Sequence, residues 1–127
     1  MSQDRDSGAR ANAFGHRMAT TVAKAIGAQR HNPAGNEFRW KGGTITIRSA
    51  HRGTAYICVL YSMLERVGLV LAALETGTAD EFEVWMLDQA SYSCRARPQV
   101  KDGRLAQLPV KMFREKGKLI AEVRDAK

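Results

Sequence analysis

Apolar and polar positions along this chain change period twice. Between residues 9 and 28, Phe14, Met18, Val22 and Ile26 recur every four residues, with Ala13, Ala23 and Ala25 beside them. That spacing predicts an amphipathic helix, and Gly27 gives it a stop. Arg10, Arg17 and Lys24 recur every seven residues and share another face, a solvated one or, on a sharper reading, a stripe facing phosphates. The polar segment 1–8 ahead of the helix is expected to be a frayed, disordered tail. Residues 29–36, with Asn-Pro and Gly-Asn, read as a loop.

From Asn36 to Leu87 the period shortens to two, and this stretch defines the sheet. Glu37 to Trp40 and Thr44 to Ser49 read as a hairpin turning through Lys41-Gly42-Gly43, because both glycines accept positive φ. Ile45 and Ile47 then share one face, and Thr44, Thr46 and Arg48 the other. On the outgoing strand Phe38 and Trp40 lie opposite Glu37, Arg39 and Lys41. Ala50 to Thr54 is a polar loop. Ala55 to Tyr61 is apolar nearly throughout and predicts a central strand covered on both faces. Ser62 and Glu65 have capping-box spacing, so a short helix is expected there. Gly68 ends it, Leu69 to Leu74 reads as a fourth strand, and Glu81 to Leu87 as a fifth.

Further on, Asp88 is placed to cap a helix. Leu105 to Lys116 reads as helical, with Pro109 near its first turn and Gly117 as its stop. Leu119 to Val123 is a last apolar stretch. The pattern predicts one α+β domain over residues 1–127, with a mixed β-sheet of about five strands flanked by helices.

Composition agrees with one core: the chain has 127 residues, 44% of them hydrophobic. Charge adds something new. The net charge is +7, unevenly placed. Residues 10–52 hold eight Lys or Arg against Glu37 alone; residues 53–94 hold Arg66 against six acids; residues 95–127 hold ten Lys or Arg against four acids. Two basic blocks around an acidic middle suggest a charged face for a polyanion, nucleic acid first. The acidic middle could instead meet the basic blocks of a second copy, giving a homodimer.

The chemistry that the motifs exclude is also informative. Cys58 and Cys94 show no metal-ligand spacing, and Cys58 reads as a buried small residue. His16, His31 and His51 show no ligand spacing either. Ser62, Ser91 and Ser93 sit in no nucleophile elbow, and no glycine-rich piece matches a phosphate loop or a dinucleotide fingerprint. No metal or cofactor is expected. The polar N-terminus and the lack of a run of roughly 20 apolar residues point to a cytoplasmic protein without a membrane partner.

The order helix, hairpin, strand, short helix, strand, strand, carried by Glu37 to Ser49 and Gly68 to Leu87, resembles the restriction-endonuclease-like superfamily. The resemblance implies a first acid, at Glu37, and a Glu-x-Lys triplet, at Thr46-Ile47-Arg48. In that family the two acids hold a divalent metal that polarises phosphate and activates water. Thr46 cannot supply a carboxylate, and Arg48 cannot accept a proton. The resemblance therefore implies a member degenerate at the triplet, which binds without cutting.

The functional expectation is a nucleic-acid-binding protein, an accessory factor of a bacterial or phage mobile element or defence system. Arg39, Lys41, Arg48, His51 and Arg52 are expected to converge on the hairpin and its following loop, with Trp40 or Tyr56 placed to stack. Lys111 and Arg114 extend the track, and arginine forks suit phosphate. One alternative is a Mg²⁺-dependent nuclease with Glu37 catalytic and a second acid from elsewhere, such as Glu65 or Glu75. Another is a protein-interaction or inhibitor module.

Overall fold

The computed structural model describes residues 2–32 and 35–125, with side chains described from Asn12 onward. Residues 2–8, expected as a frayed tail, are instead the first turns of the N-terminal helix, which begins at Ser2 rather than near residue 9. The chain forms a single α+β domain. Its elements are α1 (Ser2–Ile26), β1 (Gln29–Asn32), β2 (Glu37–Trp40), β3 (Gly43–Ala50), β4 (Tyr56–Leu60), α2 (Tyr61–Leu64), β5 (Leu69–Glu75), β6 (Glu81–Asp88), α3 (Gln89–Arg95), β7 (Arg97–Pro98), β8 (Leu105–Pro109), α4 (Val110–Lys116) and β9 (Lys118–Arg124).

A six-stranded sheet in the order β1-β2-β3-β5-β6-β9 forms the middle layer. It is mixed: β3 and β5 run parallel, and its other neighbours run antiparallel. One apolar core lies between this sheet and α1, where Met18, Ala19, Val22 and Ala23 bury against Phe38, Ile45, Ile47, Leu71, Ala73, Phe82 and Val84. The other core lies on the opposite face, under a second sheet in the order β4-β8-β7 and the short helices.

β5 shows why both cores exist. Val70, Ala72 and Leu74 point into one core and Leu71 and Ala73 into the other, so a strand buried on both faces reads as an unbroken apolar run. The run 55–61 was expected to play this part and does not. β4 leaves the main sheet and pairs with β8. Along it Ile57 and Val59 are buried, Tyr56 and Leu60 are exposed, and Cys58 is only half-buried. An apolar sequence is thus covered on one face.

Several turns follow their local chemistry. Gly27 takes a φ of 79° and ends α1, and the Trp40 Nε1–H caps the Ile26 carbonyl at 2.9 Å. The β2–β3 hairpin turns on Lys41 (φ 50°) and Gly42 (φ 80°), with Trp40 paired to Gly43. Two left-handed central residues are the mark of a type I′ turn, so Gly43 belongs to the strand. Asp88 caps α3 by accepting from the Ser91 N–H at 3.0 Å.

Three local expectations need correction. Residues 29–32 are an edge strand on β2 rather than loop. α2 begins at Tyr61 and has no side-chain cap bond, so the Ser62–Glu65 capping box does not form. The helix expected from Leu105 begins only at Val110. Pro109 forces the residue before it toward extended backbone, and the alternation that buries Ala106 and Leu108 makes residues 105–109 a strand. No helix among the described residues is long and apolar enough to cross a membrane.

Candidate nucleic-acid interface

At Glu37 and Thr46 the polar face of the β2–β3 hairpin is internal. Glu37 and Thr46 are cross-strand partners, 2% and 0% exposed. The Thr46 hydroxyl donates to the Gly35 carbonyl at 3.1 Å. The Glu37 carboxylate accepts from Asn32 Nδ2 at 2.9 Å and from Arg66 Nε and Nη2 at 3.3 and 3.1 Å. That bond and the opposite charge raise the Arg66 pKa above its ordinary value. The face therefore ties the 35–36 turn and the segment after α2 onto the sheet.

The acids considered as metal partners for Glu37 are placed elsewhere. Glu65 is exposed. Glu75 ends β5, five residues beyond Val70, which lies level with Thr46; that is about 16 Å along the strand. Glu75 accepts from the Arg52 and Asp80 backbone N–H groups at 3.0 and 3.1 Å and lies 3.3 Å from His51 Nδ1. The two backbone donors are the main reason its pKa falls to about 2. Among the described residues no group of three His, Cys, Asp or Glu side chains is arranged to hold a metal ion.

Arg48 lies two residues beyond Thr46 on the same face. It is partly buried and turned, like Thr46 and Ala50, toward the core that holds Tyr92; desolvation beside Tyr92 and Cys58 pulls its pKa below the ordinary arginine value. No carboxylate among the described residues pairs with it. Conversely, burial raises the Cys58 thiol and the Tyr92 phenol. The Tyr92 hydroxyl sits 2.7 Å from the Ala106 carbonyl and 3.1 Å from that of Ile57.

The cations named from the sequence divide into two groups. Arg39 and Lys41 are exposed at the hairpin end of β3, where the Lys41 ammonium lies 4.7 Å from the Trp40 ring centre. His51 and Arg52 follow the opposite end, about 23 Å away along an eight-residue strand. They do not converge with Arg39 and Lys41. They meet Lys111 and Arg114 of α4 instead.

Three adjoining depressions make the meeting place. The first, about 620 Å³, is lined by residues of α1, by Arg48 to His51 of β3 and its following loop, and by Thr54. The second, about 180 Å³, shares Ala50, His51 and Thr54 with it and adds Arg52 and Arg114. The third, about 580 Å³, shares Thr54 and Arg114 and adds Tyr56 and Lys111. Tyr56 is 47% exposed there, an amphipathic ring open to a stacking partner. Carboxylates are present too: Glu75 is spent on His51 and the Arg52 backbone, and Glu83 lies 3.8 Å from Arg114, while Glu115 stands at the rim.

Sequence reasoning missed Arg66 and Ser49. A signal for Arg66 was present, since it is the one cation in an acidic stretch, where a structural partner for a buried acid would stand out. Compared with protein-family models, with curated proteins and with solved structures, the chain matches none of them.

Proposed function

We propose that this protein binds nucleic acid without cutting it, through the groove lined by His51, Arg52, Lys111 and Arg114. The observation that carries the reading is the continuity of three depressions around Thr54, with four basic side chains and an exposed tyrosine along them. Cations that track a backbone beside an aromatic platform suit single-stranded nucleic acid. The resemblance to the restriction-endonuclease-like superfamily belongs to the same proposal. Glu37, Thr46 and Arg48 occupy one sheet face as it requires, and the salt bridge from Arg66 to Glu37 supports the non-cleaving version. The free Cys58 and Cys94 accord with a reducing, cytoplasmic setting.

The test is anisotropy titration with DNA and RNA oligonucleotides across a salt series. With Arg52, Lys111 and Arg114 engaged, the log–log slope of affinity against salt is expected at about −2 to −3. The double variant Lys111→Ala/Arg114→Ala should flatten that slope by about 1 to 2 and weaken binding uniformly across sequences. No binding to either polymer at low salt overturns the reading. Cutting in Mg²⁺ or Mn²⁺ replaces it with the nuclease alternative.

A further inference from the structure

The second sheet covers a core with one face and leaves the other open. Along β4 and β8 the cross-strand partners alternate. Ile57 with Leu108 and Val59 with Ala106 are buried, whereas Tyr56 with Pro109, Cys58 with Gln107 and Leu60 with Leu105 take the outward positions. Tyr56 and Leu60, at the two ends of β4, are 47% and 38% exposed, and Val100 in the β7–β8 turn is fully exposed beside them. Three of the four large hydrophobic side chains exposed among the described residues thus gather at this sheet. Singly scattered they would need no explanation; grouped, they mark a contact surface.

Between its apolar ends the face is polar. Arg97 of β7 pairs with Gln107 and is exposed. The Gln99 backbone N–H donates to the Leu105 carbonyl at 3.0 Å, and its side-chain amide reaches across to Cys58 Sγ at 3.8 Å. Sulfur is a weak acceptor, so that amide is readily given to a better one. Charge then selects the occupant. β4, β7 and β8 contain no acid. Asp102 of the β7–β8 turn is bound to Arg104 at 2.9 Å, and Glu115 stands at the rim with Lys111 and Arg114. A second copy seated here by two-fold symmetry would bring the same cations against themselves, whereas a polyanion complements them.

We propose that this outer face is the base-binding platform of a single-strand site, and that it gives the site its sequence preference. One base stacks on the Tyr56 ring, and a further base lies over Leu60 and Leu105. Gln107 and Gln99 meet a base edge between them. Tyr56 and Leu60 lie about 13 Å apart along the strand, enough for the two or three bases that an open sheet can carry. The phosphates leave at the Tyr56 end, where a depression of about 580 Å³ joins that ring to Lys111 and Arg114. Stacking on an aromatic ring accepts every base, whereas a carboxamide, both donor and acceptor, matches some base edges and not others. Bases paired in a duplex cannot lie flat on the ring. The identity of the polymer rests on the nucleic-acid reading above; the open face and its charge do not.

Full-length protein and its Tyr56→Ala, Tyr56→Phe, Gln107→Leu and Lys111→Ala/Arg114→Ala variants separate the platform from the groove. In anisotropy, the wild type should bind a single strand of about twelve nucleotides about tenfold more tightly than the duplex of the same sequence, and about tenfold more tightly than an abasic strand of equal length. Tyr56→Ala should weaken single-strand binding about tenfold with the salt slope intact, because no cation is removed. Tyr56→Phe should recover most of that loss. Gln107→Leu should compress the spread of affinities among oligo-dA, oligo-dC and oligo-dT to within about twofold. Undiminished affinity in Tyr56→Ala, or equal binding of strand, duplex and abasic strand by the wild type, overturns the platform; if Lys111→Ala/Arg114→Ala still flattens the salt slope, the groove stands without it. Should Tyr56→Ala not fold, the duplex and abasic comparisons on the wild type decide. If no strand binds at low salt, groove and platform fall together. If Tyr56→Ala converts a dimer to a monomer in sedimentation while strand affinity holds, the face is a contact between copies and the platform falls.

Discussion

Glu37 is the residue on which a catalytic and a structural account make opposite predictions. Its carboxylate is 2% exposed and held by Arg66 and Asn32. Arg66→Met leaves that charge buried with only Asn32 as a named donor. Breaking a fully buried pair costs about 3–5 kcal/mol. The Arg66 side chain is itself 50% exposed, so the expected loss here is smaller, about 2 kcal/mol. Glu37→Gln keeps the volume and a partner for Arg66, and should cost about 1–2 kcal/mol. The informative variant is the double one. Once the carboxylate is neutral, the missing guanidinium matters less, so Arg66→Met/Glu37→Gln should be more stable than Arg66→Met alone by about 1 kcal/mol. Equilibrium urea unfolding reads this directly. With a slope of about 2 kcal/mol/M, the Arg66→Met midpoint should fall by about 1 M, and the second change should restore about half of that. If the two substitutions add, or if Arg66→Met costs under about 0.5 kcal/mol, the pair is not what holds the hairpin face. Mg²⁺-dependent cutting that disappears in Glu37→Gln while stability holds would refute the structural assignment outright.

Three further outcomes are expected. A Cβ on Gly117 would stand 2.8 Å from the Met86 carbonyl oxygen and closer still to that of Phe113; Gly117→Ala should therefore lower the Tm by about 10 °C, a cost of about 3 kcal/mol. Glu75 has a folded pKa near 2, below the ordinary carboxylate value, so its contribution is present above about pH 4.5 and is lost as pH falls toward 2. Urea midpoints should show a loss of roughly 1 kcal/mol across that window, discounted for solvent screening, and Glu75→Gln should remove that part of the pH dependence. Tyr92→Phe deletes a buried hydroxyl 2.7 Å from the Ala106 carbonyl and should cost about 1–2 kcal/mol in calorimetry.

Legibility followed how far each signal reached along the chain. The α1 face, the β2–β3 hairpin, β5, β6 and the Asp88 cap rest on neighbours within a few residues, and periodicity displayed them. The departure of β4 into a second sheet rests on Leu105–Pro109, which was read as helix, and so both errors are one. Nothing local to Tyr56–Leu60 reveals that its partner strand comes after β6. Likewise, the alternation along β3 placed Thr46 and Arg48 on one face but said nothing of what covers it. Charge counting showed two basic blocks, and the fold separates their members by topology: Arg39 and Lys41 at one end of β3, His51 and Arg52 at the other. Arg66 matters through the buried carboxylate it meets and Ser49 through its buried hydroxyl, and a single sequence prints neither.

The pairing of β4 with β8 has a consequence for how the chain assembles. β4 emerges between two parallel partners of the main sheet, yet its own partner follows only after β5, β6 and α3. During synthesis Ile57 and Val59 therefore wait, apolar and unpaired, until most of the chain is made. The α1 side can close earlier around β2, β3, β5 and β6, with β9 to come. The two faces of one sheet are thus sealed at different times, and the later seal is the long-range, slower step. Until then the exposed strand is a point where two nascent copies could pair wrongly, and the Tyr92 hydroxyl, reaching the carbonyls of both β4 and β8, is the latch that ends that interval.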